Sequence, residues 1–96
     1  MEYLLTRLDD RIISLNNVKK KALVAYLVAG DPSLDLTLEL MHGFVDAGVD
    51  ILEIGVPFTD PIAEGPIIQA AHDRALKKHT SLSDIFKLVE RFREKD

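Results

Sequence analysis

The spacing of apolar and polar residues changes several times along the chain. In four stretches apolar residues recur three or four positions apart, which predicts amphipathic helices. Two other stretches are apolar almost throughout, which is typical of strands buried on both faces of a parallel sheet. In chain order the predicted elements are a leading helix over 1–17, a strand over 22–29, a helix over 33–47, a strand over 49–56, a loop over 57–65, a helix over 66–78 and a helix over 81–95.

Proline, glycine and serine mark the ends of these elements. Residues 30–32, Gly-Asp-Pro, form a turn after the first strand, and Ser33 can cap the helix that follows. Gly48 fits the left-handed position after a helix, and Pro66 fits the first turn of another. The order strand, helix, strand predicts a right-handed βαβ unit with parallel strands, and therefore an α/β fold.

Composition excludes several classes of function. The chain has 96 residues, enough for one small domain, and its 12 basic and 16 acidic residues lack the excess of positive charge that nucleic acid or anionic lipid attracts. It has no cysteine, which excludes disulfides and thiolate metal sites and is compatible with a reducing compartment. No apolar run approaches the roughly 20 residues of a membrane span. We expect a cytoplasmic protein that binds neither nucleic acid nor membrane.

One carboxylate interrupts the second predicted strand. Because side chains alternate along a strand, Glu53 shares a face with Val49 and Ile51, which are apolar. An inward carboxylate at that position would be partly desolvated, and desolvation raises its pKa toward the range useful for general acid and base catalysis. The alternative is a glutamate at a strand end that reaches solvent. Both interpretations remain open.

The loop over 57–65 holds further acidic side chains, beyond the carboxyl end of the strand, where parallel α/β folds place their chemistry. Glu64 lies in a segment tightened by prolines, while Asp60 precedes a proline and can make local turn hydrogen bonds. Tyr26, on the first strand, is either a core aromatic or the wall of an apolar pocket. The three histidines lack the spacing of metal ligands, so we expect no metal site.

Two adjoining stretches carry a specific motif: ALVAYLVAGDPSLDLTLELMHGFVDAGVDI and LEIGVPFTDPIAEGPIIQ. They resemble the amino-terminal part of the tryptophan synthase alpha subunit family, whose signature has the form LELGVPFSDPxADGP and whose Gly-Asp-Pro matches residues 30–32. The resemblance covers nearly the entire chain. It implies the first two βα units, with the leading helix, of a (β/α)8 TIM barrel with parallel strands, since a complete barrel needs about 250 residues.

The resemblance also implies a reaction and the residues that perform it. The family is a lyase of tryptophan biosynthesis that splits indole-3-glycerol phosphate into indole and glyceraldehyde 3-phosphate by a retro-aldol reaction without a cofactor. Glu53 matches its proton-shuttling glutamate, and Tyr26 matches an aromatic residue that packs on the indole. Glu64 matches the loop carboxylate that holds the indole N–H, a position where the family usually has aspartate.

A partner is implied as well. In the family, the loop that contains Pro57 and Asp60 lies toward the beta subunit, which binds pyridoxal phosphate and completes a heterotetramer. We expect the 96-residue chain alone to be inactive, because two of eight units neither close a barrel nor bind the substrate phosphate. The alternatives are a non-catalytic short paralogue that acts as an interaction module, and a partial-barrel piece that self-associates.

Overall fold

The computed structural model describes residues 6–58 and 65–96, which form an α/β arrangement of four helices around two strands. Among these described residues, no helix is long and apolar enough to cross a membrane. The elements are α1 (Arg7–Asn17), β1 (Val24–Val28), α2 (Leu34–Asp46), β2 (Ile51–Gly55), α3 (Pro66–Lys77) and α4 (Leu82–Arg93). Their order and type follow the apolar spacing of the sequence. Both strands are shorter than predicted because β1 and β2 pair over only five register positions.

Two helices begin with a reciprocal capping box. The Ser81 hydroxyl accepts a hydrogen bond from the Asp84 N–H at 3.2 Å, and the Asp84 carboxylate accepts one from the Ser81 N–H at 2.9 Å, as the spacing of the two residues predicts. That backbone N–H also lowers the pKa of Asp84. Thr6 and Asp9 form the same box, so α1 begins at Arg7. The first five residues of the predicted leading helix lie outside the described residues.

The sheet consists of β1 and β2 paired in parallel, with Tyr26 opposite Glu53 and Val28 opposite Gly55. One face of this sheet carries Leu27 of β1 with Leu52 and Ile54 of β2, and it is covered by α2 and α4. The core on this side is built from residues of both helices and of the chain just after β1. Its buried members are Ala29, Met41, Ile85, Leu88 and Phe92.

The opposite face of the sheet, called the inward face below, is largely open. It carries Val24, Tyr26 and Val28 from β1 and Ile51, Glu53 and Gly55 from β2. Among the described residues, only its carboxyl end is covered, where Ala71 and Ala75 of α3 pack on Val28. At the other end Val24 is 50% exposed. Helix α3 therefore partly covers the carboxyl ends of the two strands on the inward face, while the amino-terminal part of that face is accessible to solvent.

Helix α1 is attached to the amino ends of the strands by polar contacts, since none of its residues is buried. The Asp50 carboxylate accepts hydrogen bonds from the Leu23 N–H at 2.8 Å and from the Arg11 Nε at 3.0 Å. Both contacts lower the pKa of Asp50, and the hydrogen bond from the Leu23 N–H has the larger effect. Asp50 thus joins α1, the start of β1 and the start of β2.

Candidate functional site

The candidate site lies on the inward face, toward the carboxyl ends of β1 and β2. Tyr26 and Glu53 are register partners there, so their side chains leave the same face of two strands that lie about 4.8 Å apart. Tyr26 is 37% exposed, and Glu53 is also exposed. The structure therefore brings together an aromatic ring and a carboxylate that the sequence places 27 positions apart.

The partial desolvation predicted for Glu53 is absent from this structure. Its side chain points to the inward face, as the alternation of the strand predicts, yet it is exposed to solvent. The physical reason is that the part of the chain that the structure describes supplies no wall opposite Glu53 on this face. Of the two interpretations of Glu53, the one in which its side chain reaches solvent agrees with the structure of this chain.

The Tyr26 ring lies across β2 at Gly55. A Cβ atom added to Gly55 would overlap the Tyr26 hydroxyl oxygen and come within 2.7 Å of its Cζ. Such contacts are far shorter than van der Waals separations, so only glycine leaves room for the ring in this orientation. The absence of a side chain at Gly55 therefore helps to set where the Tyr26 hydroxyl points.

A buried histidine, His72, completes the surroundings of Tyr26. Its side chain is 1% exposed, its Nδ1 accepts a hydrogen bond from the Phe58 N–H at 3.2 Å, and its Nε2 lies 3.5 Å from the Tyr26 hydroxyl. Sequence reasoning missed this residue by considering only metal binding. The signal was helical spacing, since His72 continues the buried face that Ile68, Ala71 and Ala75 define on α3.

The turn after β1 adjoins the site and is tied to α2 and α3. The Gly30 N–H donates to the Thr37 hydroxyl at 3.1 Å, and Thr37 in turn donates to the Ser33 carbonyl at 2.7 Å. Asp31 accepts two hydrogen bonds from Arg74 of α3, at 2.7 and 3.0 Å, and this pairing raises the pKa of the guanidinium. These contacts hold α3 against the carboxyl end of β1.

The remaining predicted site residues belong to the segment after β2. Pro57 is buried immediately beyond the strand. Asp60 and Glu64 lie outside the described residues, so the roles assigned to them stay predictions. Within the ranges 6–58 and 65–96, no three carboxylates or imidazoles are grouped in a way that could hold a metal ion.

Comparison with known proteins assigns this architecture to a family. The family model described as the tryptophan synthase alpha chain matches residues 12–96. The tryptophan synthase alpha chain of Alkalilimnicola ehrlichii is 51% identical over 92 residues, which are 96% of this chain and 34% of that protein. That of Nitrosococcus oceani is also 51% identical, with the same coverage. The chain thus spans about a third of the length of the curated relatives that it matches.

Solved structures of tryptophan synthase chains support the same family assignment. The tryptophan synthase alpha subunit of Legionella pneumophila superposes with a TM-score of 0.93 at 44% identity, over 97% of this chain and 36% of that one. A Pyrococcus furiosus chain, from a structure of the tryptophan synthase a2b2 complex, gives 0.72 at 41% identity over 78% of this chain and 30% of that one. The two βα units and leading helix are therefore part of a (β/α)8 barrel. The chain belongs to the tryptophan synthase alpha chain family.

Proposed function

We propose that these 96 residues are the part of a carbon–carbon lyase that supplies its proton-transferring carboxylate, and that the whole enzyme cleaves indole-3-glycerol phosphate into indole and glyceraldehyde 3-phosphate. The observation that carries the proposal is the pairing of Tyr26 with Glu53 on the inward face. In barrel enzymes, catalytic groups come from the carboxyl ends of several strands. Membership of the tryptophan synthase alpha chain family supports the choice of this substrate.

Glu53 moves protons in this proposal. Cleavage requires a proton to be added at C3 of the indole and another to be removed from the glycerol hydroxyl on the adjacent carbon. The bond between these two carbons then breaks, its electron pair returns to the ring, and an aldehyde is released. A closed barrel would surround Glu53 and remove water from it, which favours proton transfer near neutral pH. The exposure of Glu53 in two isolated units is consistent with a site that is completed by the other strands.

Tyr26 and Glu64 hold the aromatic part of the substrate in this proposal. Tyr26 presents a half-exposed ring beside Glu53, where it can pack against the indole. The Glu64 carboxylate would accept a hydrogen bond from the indole N–H and stabilise the positive charge that develops on the ring. It is one methylene longer than the aspartate usual in the family. A displacement of about 1 Å can lower a rate on the order of a hundredfold, so we expect Glu64→Asp to accelerate cleavage.

The proposal needs no cofactor in this chain. Pyridoxal phosphate belongs to the beta subunit of the family, and we place the surface for that partner at Pro57 and Asp60. Support comes from the Pyrococcus furiosus relative, whose structure is described as an a2b2 complex. Pro57, buried directly after β2, would fix the direction in which the chain leaves the strand toward that partner.

A second candidate is an interaction module, and the open inward face favours it. On that face Val24 is 50% and Tyr26 37% exposed, and within residues 6–58 and 65–96 each strand is paired along one edge. Exposed strand edges beside apolar side chains promote association. A polypeptide of these 96 residues is therefore expected to sediment as species larger than a monomer. A stable, compact monomer would contradict that expectation.

Indole release tests the proposed function. The assay compares the 96-residue chain with a chimera that joins it to the part of the Alkalilimnicola ehrlichii relative that follows the matched third. We expect the chimera to release indole from indole-3-glycerol phosphate and the isolated chain to release none, because two βα units lack the rest of the barrel. A folded but inactive chimera would refute the proposal for this chain. Turnover by the isolated chain would refute the need for the other units.

A further inference from the structure

His72 is the most deeply buried ionisable side chain next to the site, and both of its ring nitrogens face polar groups of other segments. It is 1% exposed and lies on the face of α3 that packs on β1. Its Nδ1 faces the Phe58 N–H at 3.2 Å, and its Nε2 faces the Tyr26 hydroxyl at 3.5 Å. A buried polar ring is tolerated when its nitrogens are satisfied. One imidazole thus connects α3, the exit of β2 and the middle of β1.

The first of these contacts determines the tautomer. A backbone N–H can only donate, so the Nδ1 that accepts from Phe58 carries no hydrogen. A neutral imidazole then has its single N–H at Nε2, which makes Nε2 the donor to the Tyr26 hydroxyl oxygen. The Phe58 ring lies edge-on to the imidazole, with centroids 4.9 Å apart and planes at 72°. The ring orientation of His72 is therefore fixed on two sides.

We infer that His72 is a positioning residue that holds the Tyr26 ring across Gly55 and fixes the backbone at Phe58, where the chain leaves β2. Tyr26 is 37% exposed, so burial alone does not fix its ring. Gly55 makes the orientation possible, and the donor at His72 Nε2 selects it. The consequence for catalysis rests on the proposed function, in which Tyr26 packs against the substrate. The contacts themselves do not depend on it.

Nitrogen-15 NMR of the 96-residue chain, labelled at histidine, tests the inference. Of the three imidazoles, the His72 ring is expected to show the signature of an unprotonated Nδ1 and a protonated Nε2. Tyr26→Phe removes the acceptor and is expected to shift the Nε2 signal while leaving the Nδ1 signal in place. A His72 ring protonated at Nδ1, or one that averages between tautomers, would overturn the inference.

Substitutions separate the two contacts. His72→Asn can place an amide oxygen near the position of Nδ1, whereas His72→Leu has similar bulk and no polar atom. Hydrogen exchange at the Phe58 amide is expected to accelerate about tenfold in His72→Leu, with substantial recovery in His72→Asn. His79→Asn is the matched control, because His79 is exposed at a φ of +57°, which asparagine tolerates.

Equal exchange in the Asn and Leu variants would mean that His72 only fills space, and it would overturn the inference. If His72→Leu does not fold, the His72 tautomer measured by NMR in the unsubstituted chain still supports or overturns the inference. Neither measurement involves turnover. Failure of the lyase proposal would therefore leave these results unchanged, and failure here would leave the lyase proposal standing.

Discussion

In the chimera with the Alkalilimnicola ehrlichii relative, Glu53→Gln is expected to lower kcat for indole release by about 10²- to 10⁴-fold, the usual contribution of a general acid–base group. Glutamine matches glutamate in size and still forms hydrogen bonds, but it neither accepts nor delivers a proton at neutral pH. Substrate contacts that do not involve proton transfer remain, so KM is expected to change little. The measurement is steady-state indole release by the two forms of the chimera.

A matched control is Glu39→Gln, which makes the same chemical change at an exposed position on α2. It is expected to leave kcat unchanged. Both variants are expected to unfold at the same denaturant concentration as the parent, because glutamine keeps the size of glutamate and still forms hydrogen bonds. Retained turnover in Glu53→Gln would remove Glu53 from the mechanism. A loss of turnover that accompanies unfolding would leave its catalytic role unsupported.

Gly30→Ala is expected to lower the free energy of unfolding of the 96-residue chain by about 2–5 kcal/mol. Gly30 has a φ of +92°, a conformation that costs a residue with a Cβ atom roughly 1–2 kcal/mol. The new Cβ would also overlap the Thr80 hydroxyl oxygen and lie 3.0 Å from the Thr80 Cβ, and overpacking typically costs about 1–3 kcal/mol. Denaturant titration measures the change.

Gly43→Ala is the control for that substitution, since an added Cβ at Gly43 has no neighbour within 4 Å and the residue lies inside α2. There alanine is expected to stabilise the chain by roughly 0.5–1 kcal/mol. Combining Gly30→Ala with Thr80→Ala should lose less than the sum of the two single changes, because the smaller side chain relieves the overlap. Strict additivity would show that the overlap contributes nothing.

Local features of the fold could be predicted because their causes lie within a few residues. The Ser81 and Asp84 box is set by a spacing of three, and the strands by runs of apolar residues. The capping box of Thr6 and Asp9 has the same spacing of three and could be predicted in the same way. Sequence alone does not place Tyr26 beside Glu53. Alternation defines the two faces of each strand, but only the pairing of β1 with β2 defines the register.

Other features depend on contacts between distant segments. The exposure of Glu53 depends on whether other segments cover the inward face. The residues near position 53 do not determine that cover. Asp31 meets Arg74 across 43 positions, and this ion pair exists only because α3 turns back over the end of β1. His72 shows both aspects. Its helical spacing places it on the buried face of α3, while its two hydrogen-bond partners become visible only in the fold.

The central claim is that the inward face of β1 and β2 receives the substrate, and a crystal structure of the Glu53→Gln chimera with bound indole-3-glycerol phosphate tests it most directly. The slow variant retains the substrate uncleaved. We expect the indole to pack on the Tyr26 ring and the glycerol hydroxyl next to the ring to lie within hydrogen-bond distance of the side chain at position 53. Substrate bound elsewhere, with both side chains facing solvent, would contradict it.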